Sequence, residues 1–297
     1  MSEASTLAWR PAHQRPPLLV RARERVGRSR TAIAVSLVVL AVLLPAAVLV
    51  PWLDPTAATH ADITAVYSPP SAEHVLGTDG AGRDLLVRTL AALRTSFLVG
   101  LVAAAVATLI GVTVGALAAA TVSWGRGAVD QLLMRLVDAV NAVPHLVLGV
   151  VIVAMLGPSV SSVITSIALT HWTTPARLVR AEMLSVQGRD FVDVAIVGGA
   201  SRWRVTMRHV LPQVASRALL AAVLMVPHAI WHESALSFLG LGMPPHLPSL
   251  GAMIQDAQVA VFAGHWWPAF WPGLALVVVT LAVSGAAALL RPRERAL

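Results

Sequence analysis

No cysteine occurs in the 297 residues, so a disulfide framework, an iron–sulfur cluster and a thiolate metal site are excluded. Lysine is absent too, because all 22 basic residues are arginine. A phosphate-binding loop needs a Gly-Lys-Ser/Thr triplet, so the chain has no ATPase motif of its own. Charge of either sign is scarce at 12%, where a soluble domain carries roughly twice as much. What fills the space is apolar: 57% of residues are hydrophobic and the mean hydropathy is +0.74. The composition is that of an all-α polytopic membrane protein. The net charge of +7 would suit a nucleic-acid partner. The arginines, however, cluster between long apolar runs, as in the cytoplasmic loops of membrane proteins.

Residues 1–30 are polar and hold seven arginines, and are expected to form a cytoplasmic tail. Residues 31–53 follow without a charge, enough for one crossing of a hydrocarbon core about 30 Å thick. The run is longer than a signal-peptide core, so an uncleaved first transmembrane helix is expected. Residues 54–95 read as an extracytoplasmic loop, and residues 96–290 as a core of five further spans. These are expected near 96–122, 132–156, 160–174, 218–238 and 266–290, with a cytoplasmic tail at 291–297. Gly111 and Gly115 stand at small-xxx-small spacing, which favours close helix packing. Trp266, Trp267 and Trp271 are expected to form an interfacial aromatic belt. Asp138 lies one turn from Arg135, so a local ion pair is expected rather than a place in a substrate path.

The stretch 189–213, RDFVDVAIVGGASRWRVTMRHVLPQ, is basic and lies between apolar runs. Phe191, Val194 and Ala195 have helical spacing, Gly198-Gly199 breaks the helix, and Ser201 is placed to cap a second one. In that helix Trp203, Met207, Val210 and Leu211 are expected on one face, Arg204 and Arg208 on another, with Pro212 limiting its length. Two short amphipathic helices around a glycine hinge suggest a docking element; the plainer alternative is a solvated connector.

Three motifs carry a family resemblance. Asp193-Val194-Ala195, Gly199 and Val210-Leu211-Pro212 resemble the EAA loop of ABC importer permeases, with Asp193 where Glu is usual and Val194 where Ala is usual. His74, Gly77, Thr78, Asp79, Gly82, Arg83 and Asp84 resemble the H-x-L-G-T-D-x-x-G-R-D signature of the C-type permease subunit of dipeptide, oligopeptide and nickel importers. Glu233, Ser237, Phe238, Gly240 and Gly242 resemble the E-x-A-L-S-F-L-G-L-G run of the same subunit. Gly251 continues it, with Leu250 where Trp is usual.

The resemblance implies six transmembrane helices and a subunit that forms half a translocation pore. It implies four kinds of partner: membrane lipid, a homologous second permease, two ABC ATPase subunits that hydrolyse ATP, and an extracytoplasmic solute-binding protein. It implies docking of an ATPase through Asp193, Ala195, Gly199, Trp203, Arg204, Arg208, Leu211 and Pro212, with no cofactor held by this chain and no nucleic acid. It places the chain in a bacterial cell membrane with both termini cytoplasmic. An ion-coupled secondary transporter is the alternative, for which Asp138 and Glu233 are the only candidate intramembrane acids. A membrane enzyme is a third reading, resting on His228 and His232 one turn apart. These histidines are expected to pack or to face an outer vestibule, and no metal is expected, because no third ligand shares their face.

Overall fold

A computed structural model describes residues 18–53, 58–244 and 246–290. The expectations for 1–17 and for the tail 291–297 lie outside the described residues. The described part is helical. α1 (Leu18–Leu53) begins within the expected tail and continues through the first span. α2 (Leu85–Ser123) is the longest helix. It starts inside the expected outer loop, because the Asp84 carboxylate caps it by accepting from the Leu86 and Val87 amides.

The expected third span is not one helix. α3 (Gly127–Ala142) and α4 (His145–Leu156) meet at a bend of 87°. Pro144 is the cause: it forces Val143 into extended backbone (φ −95, ψ 132), which ends α3. The expected fourth span is also divided. α5 (Val160–His171) has 12 residues, only about 18 Å of rise, and α6 (Thr173–Gln187) follows across Trp172.

The basic stretch contains α7 (Asp190–Val197) and α8 (Arg202–Val205). A π-helical turn, Thr206–Val210, then runs without a break into α9 (Leu211–Phe238). Pro212 therefore does not end the helix. It sits in the first turn of α9, and the widened turn before it absorbs its missing N–H. α10 (Leu250–Asp256) and α11 (Gln258–Phe262) occupy the expected outer loop, and α12 (Trp267–Ala286) forms the last span. Among the described residues four helices are long and apolar enough to cross a membrane, or five if the bent α3–α4 pair counts as one crossing.

α2 is the axis on which the others pack; it touches α1, α5, α6, α9 and α12. Its small residues make this possible. A Cβ on Gly100 would lie 2.5 Å from the Ile230 side chain of α9. One on Gly111 would lie 2.5 Å from the Trp172 carbonyl oxygen, and one on Gly115 2.3 Å from that of Ala176. Backbone thus lies on backbone, as the small-residue spacing implied. Gly115→Val is expected to push α6 off α2 and cost about 2 kcal/mol or more. Gly273→Val, where an added Cβ meets nothing within 4 Å, serves as the control. Thermal unfolding in detergent, followed by size exclusion, should show a lowered midpoint for the first variant only.

Candidate functional site

The basic loop folds as a rigid bracket. Gly198 and Gly199 turn the chain, Gly199 at φ +88, and the Ser201 hydroxyl accepts from the Arg204 amide at 3.3 Å. Both features follow the sequence expectation. The register of the apolar residues after the turn does not. Val192 is the buried member of α7, whereas Phe191 and Val194 point outward. After the turn Val205, Thr206, Val210 and Val214 are buried, while Trp203 and Met207 are exposed. The step from Val205 to Val210 is five residues, because the π turn adds one residue to the period.

The inner stripe joins the bracket to Ala119 of α2 and to Val179, Met183 and Val186 of α6, with Leu211 packed against it. Arg202 donates to the Ser123 carbonyl at the end of α2, and the rings of Trp124 and Trp203 lie 6.1 Å apart. Beneath it Arg180 grips Asp130 through two bonds, 2.5 and 2.7 Å, tying α6 to α3. Asp138 pairs with Arg177 of α6 at 2.5 Å, not with Arg135 as expected, because α6 brings the guanidinium across from another helix.

What remains faces outward. Val197 is 89% exposed, the most exposed large apolar side chain of the bracket, beside Val194 and Trp203. Asp193, Arg204 and Arg208 are exposed and have no ion-pair partner among the described residues. Ala195 is half-buried and Pro212 exposed. Ser201, Trp203, Arg204, Met207 and Arg208 line an open hollow of about 460 Å³. An apolar knob ringed by unpaired charges on a rigid mount is suited to a protein partner.

The H-x-L-G-T-D-x-x-G-R-D segment forms a second unit at the far end of α2. Asp79 is its centre. One carboxylate oxygen accepts from the Ala81 and Arg83 amides, at 2.9 and 3.1 Å. The other accepts from Arg83 Nε at 2.8 Å and lies 3.5 Å from Arg88 Nε. Arg88 also reaches Asp256 of α10, 3.4 Å away. The Thr78 side chain is fully buried, and its hydroxyl accepts from the Ser68 amide while donating to the Ala65 carbonyl. His74 Nδ1 lies 3.1 Å from Asp84 Oδ2. Gly82 is at φ +72, where a Cβ would strike the Asp62 carbonyl. Gly77 packs under Trp267, whose indole N–H donates to the Thr78 carbonyl. Trp267 is therefore a buried prop for this loop rather than a belt residue; Trp266 is the exposed one. Tyr67, Asp79, Arg83, Arg88, Asp256 and Ala257 line a hollow of about 380 Å³.

The third motif is a staple. Glu233 is fully buried and accepts from Ser237 at 2.8 Å and Ser234 at 3.2 Å, both on α9, with Ser96 of α2 and Ser249 beside it. It sits where α9, α2 and the cap of α10 meet, and the bond between the last two is the Leu250 amide on Ser96 Oγ at 3.1 Å. Gly251 lies against the Ser234 carbonyl and Gly242 against Ser237, with no room for a Cβ at either. Leu250 is completely buried, so the smaller side chain fills its place. Gly240 turns the chain at φ +78, and Phe238 is exposed at the end of α9. With Asp138 paired and Glu233 saturated by serines, both candidate intramembrane acids are already engaged. Arg88, Asp256 and Ser96 were not singled out from sequence, since their partners lie up to 168 residues away.

Residues 111–296 match the family model described as "binding-protein-dependent transport system inner membrane component". The chain is 34% identical to the dipeptide transport system permease protein DppC of Bacillus subtilis over 248 residues, 84% of this chain and 76% of that one. A putative peptide transport system permease protein of Brucella suis is 37% identical over 269 residues, 90% and 88% of the two chains. The oligopeptide transport system permease protein OppC of Haemophilus influenzae is 33% identical over 279 residues, 92% and 88% of the two chains.

Asp79→Ala would strip the acceptor from two amides and strand Arg88 with only the exposed Asp256. The expected cost is about 3 kcal/mol, and Asp79→Asn, which keeps an acceptor, should cost less. Thermal unfolding of the detergent-solubilised protein separates the two.

Proposed function

The chain belongs to the family of binding-protein-dependent transport system inner membrane components, and from that premise we propose that it is the permease subunit of an ATP-driven importer of dipeptides or oligopeptides. It is a multi-pass membrane protein and a transport component rather than the hydrolysing one. In this reading it sits in a bacterial cell membrane, forms half of a pore with a second, homologous permease chain, and serves two ATPase subunits and an extracytoplasmic solute-binding protein.

The observation that carries the reading is the bracket at 189–213 within the family-matched segment: apolar and charged side chains without partners, mounted on α2, α6 and α9. A groove on a cytoplasmic ATPase is the surface that would cover Val194, Val197 and Trp203. Asp193 would meet a cation or a helix N-terminus there, and Arg204 and Arg208 would meet acids. ATP-driven closure would then move the bracket, and the helices fixed to it would follow, switching the pore between inward and outward access. The Asp79 loop at the other end of α2 is suited to meet the solute-binding protein.

Two experiments test this. The chain has no cysteine of its own, so Ala72→Cys and Val197→Cys each introduce a single thiol. An impermeant reagent added to intact cells should label the first and spare the second; labelling at Val197 would overturn ATPase docking. Second, Gly199→Val forces a branched side chain to φ +88, straining the hinge by about 1–2 kcal/mol. Asp193→Arg replaces attraction by repulsion. Both variants should insert normally but recover less ATPase on co-purification and take up less peptide in vesicles, with Asp193→Asn milder than Asp193→Arg. Normal ATPase recovery and uptake in both would reduce the bracket to a connector.

A further inference from the structure

Four histidines from three separate helices converge inside the protein. His145 opens α4, His171 closes α5, and His228 and His232 lie one turn apart on α9. Ring centroids are 4.2 Å apart for His171 and His232, 4.9 Å for His171 and His228, and 4.8 Å for His228 and His232. One nitrogen from each of His171, His228 and His232 lies within 4.8 Å of the others. The third ligand that the sequence did not reveal is thus His171, 57 residues before His228 in the chain.

The nitrogen chemistry of His171 is particular. The residue is 2% exposed. Its Nδ1 lies 3.1 Å from the Ile167 carbonyl and 2.6 Å from the Thr170 hydroxyl, which itself donates to the Ser166 carbonyl at 2.8 Å. With both carbonyls accepting, the proton belongs on His171 Nδ1, and Nε2 carries a lone pair. Nε2 is buried and has no hydrogen-bond partner among the described residues. Such an orphan is costly unless something fills it. A backbone carbonyl holding one imidazole nitrogen so that the other is presented is the usual outer support of a metal-bound histidine.

We propose that His171, His228 and His232 bind a divalent transition-metal ion of the zinc, nickel or copper class. Imidazole nitrogens select these ions over magnesium or calcium. Three protein ligands leave a fourth position open, on the side where His228 is exposed. Metal–nitrogen bonds of about 2.0–2.1 Å place tetrahedral ligands roughly 3.3 Å apart, so nitrogens now within 4.8 Å of one another would close further on a bound ion. His145 is held by Asn141, 3.2 Å from its Nε2, and Asn141 in turn accepts from Thr173 at 2.8 Å. Its ring flanks His171 at 4.8 Å as a neighbour rather than a ligand. Glu233 beside His232 is turned away among its serines and does not compete.

The depth of the cluster gives it meaning. α4, α5 and α9 run side by side, with Ser166 donating to the Gly149 carbonyl at 3.2 Å and Gly149 facing Leu236. The histidines lie six to eleven residues from the ends of these helices at Leu156, Val160 and Phe238. At 1.5 Å per residue that is about 9–16 Å in from those ends. A metal held there would lie between α4, α5 and α9, accessible from the face that His228 presents. The proposal concerns only this chain's histidines and stands whether or not its solute is a peptide.

The test uses the full chain with its co-purified partner subunits in lipid nanodiscs, isolated through a tag free of histidine and stripped of metal. Zn²⁺ and Ni²⁺ are titrated alone by equilibrium dialysis with elemental analysis, and Co²⁺ is added as a spectroscopic probe. Saturable binding of one ion per chain is expected, with the visible d–d absorption of nitrogen-ligated Co²⁺. His232→Ala and His171→Ala should weaken binding at least about a hundredfold and His228→Ala at least about tenfold; His145→Ala should change it by less than about threefold. His228 is exposed, so its variant should assemble normally even if the buried His171 variant does not. No saturable binding, or full-strength binding that survives both His228→Ala and His232→Ala, would overturn the site.

Discussion

The backbone of α2 touches the backbones around it, and the rest of the protein depends on that approach. Ala103, Ala104, Ala107, Gly111, Gly115, Ala118 and Ala119 give it a face with almost no side chain. In a membrane, helices gain nothing by hiding apolar surface from lipid that is equally apolar, so association rests on close van der Waals contact and on hydrogen bonds. The short face supplies the contact. The hydrogen bonds are supplied where polar groups occur deep in the fold: Ser96 of α2 accepts from the Leu250 amide of α10. One helix therefore meets α6 along Gly111 and Gly115, α9 at Gly100 and α10 at Ser96. The bracket and the Asp79 loop are mounted at its two ends.

That mounting explains why both loops can be rigid. A loop between spans would ordinarily be the most mobile part of a membrane protein. Here Val192, Val205 and Val210 are driven into α6 and α2, and Arg202 closes on the Ser123 carbonyl. The bracket is thereby packed on three helices, α2, α6 and α9. The Asp79 loop uses charge for the same purpose. Arg88 sits at the edge of the apolar region, where an unpaired guanidinium would be expensive, and Asp79 and Asp256 hold it from two elements.

Much of this was legible in the sequence, and the reasons for the rest are physical. The membrane class, the glycine hinge, the Ser201 cap and the small-residue face of α2 are local properties, visible as composition or spacing. The division of the third apolar run at Pro144 was local too, since proline restricts the residue before it; apolar content alone hid it. The π turn before Pro212 was not legible. It shifts the buried stripe by one residue, so the 3.6-residue period placed Trp203 and Met207 on the wrong face. The partner of Asp138 was misjudged because the nearest arginine in sequence, Arg135, is not the nearest in space. Trp267 had the look of a lipid anchor, yet a carbonyl 189 residues earlier claims its N–H.

α9 carries two polar groups in adjacent positions, His232 and Glu233, and the fold treats them in opposite ways. Glu233 points into α2 and α10 and is surrounded by serines, so each of its oxygens has a donor. A carboxylate so satisfied offers nothing to a visitor. His232 points the other way, toward His171 and His228, into a space where donors and acceptors do not balance. Successive residues on a helix diverge by about 100°, so a single step along the chain separates the sealed side of α9 from its receptive side. The same contrast holds at the inner end, where Val210 is sealed and Arg208 is open. Unmet bonding capacity, not polarity itself, distinguishes the residues that await a partner from those that hold the protein together.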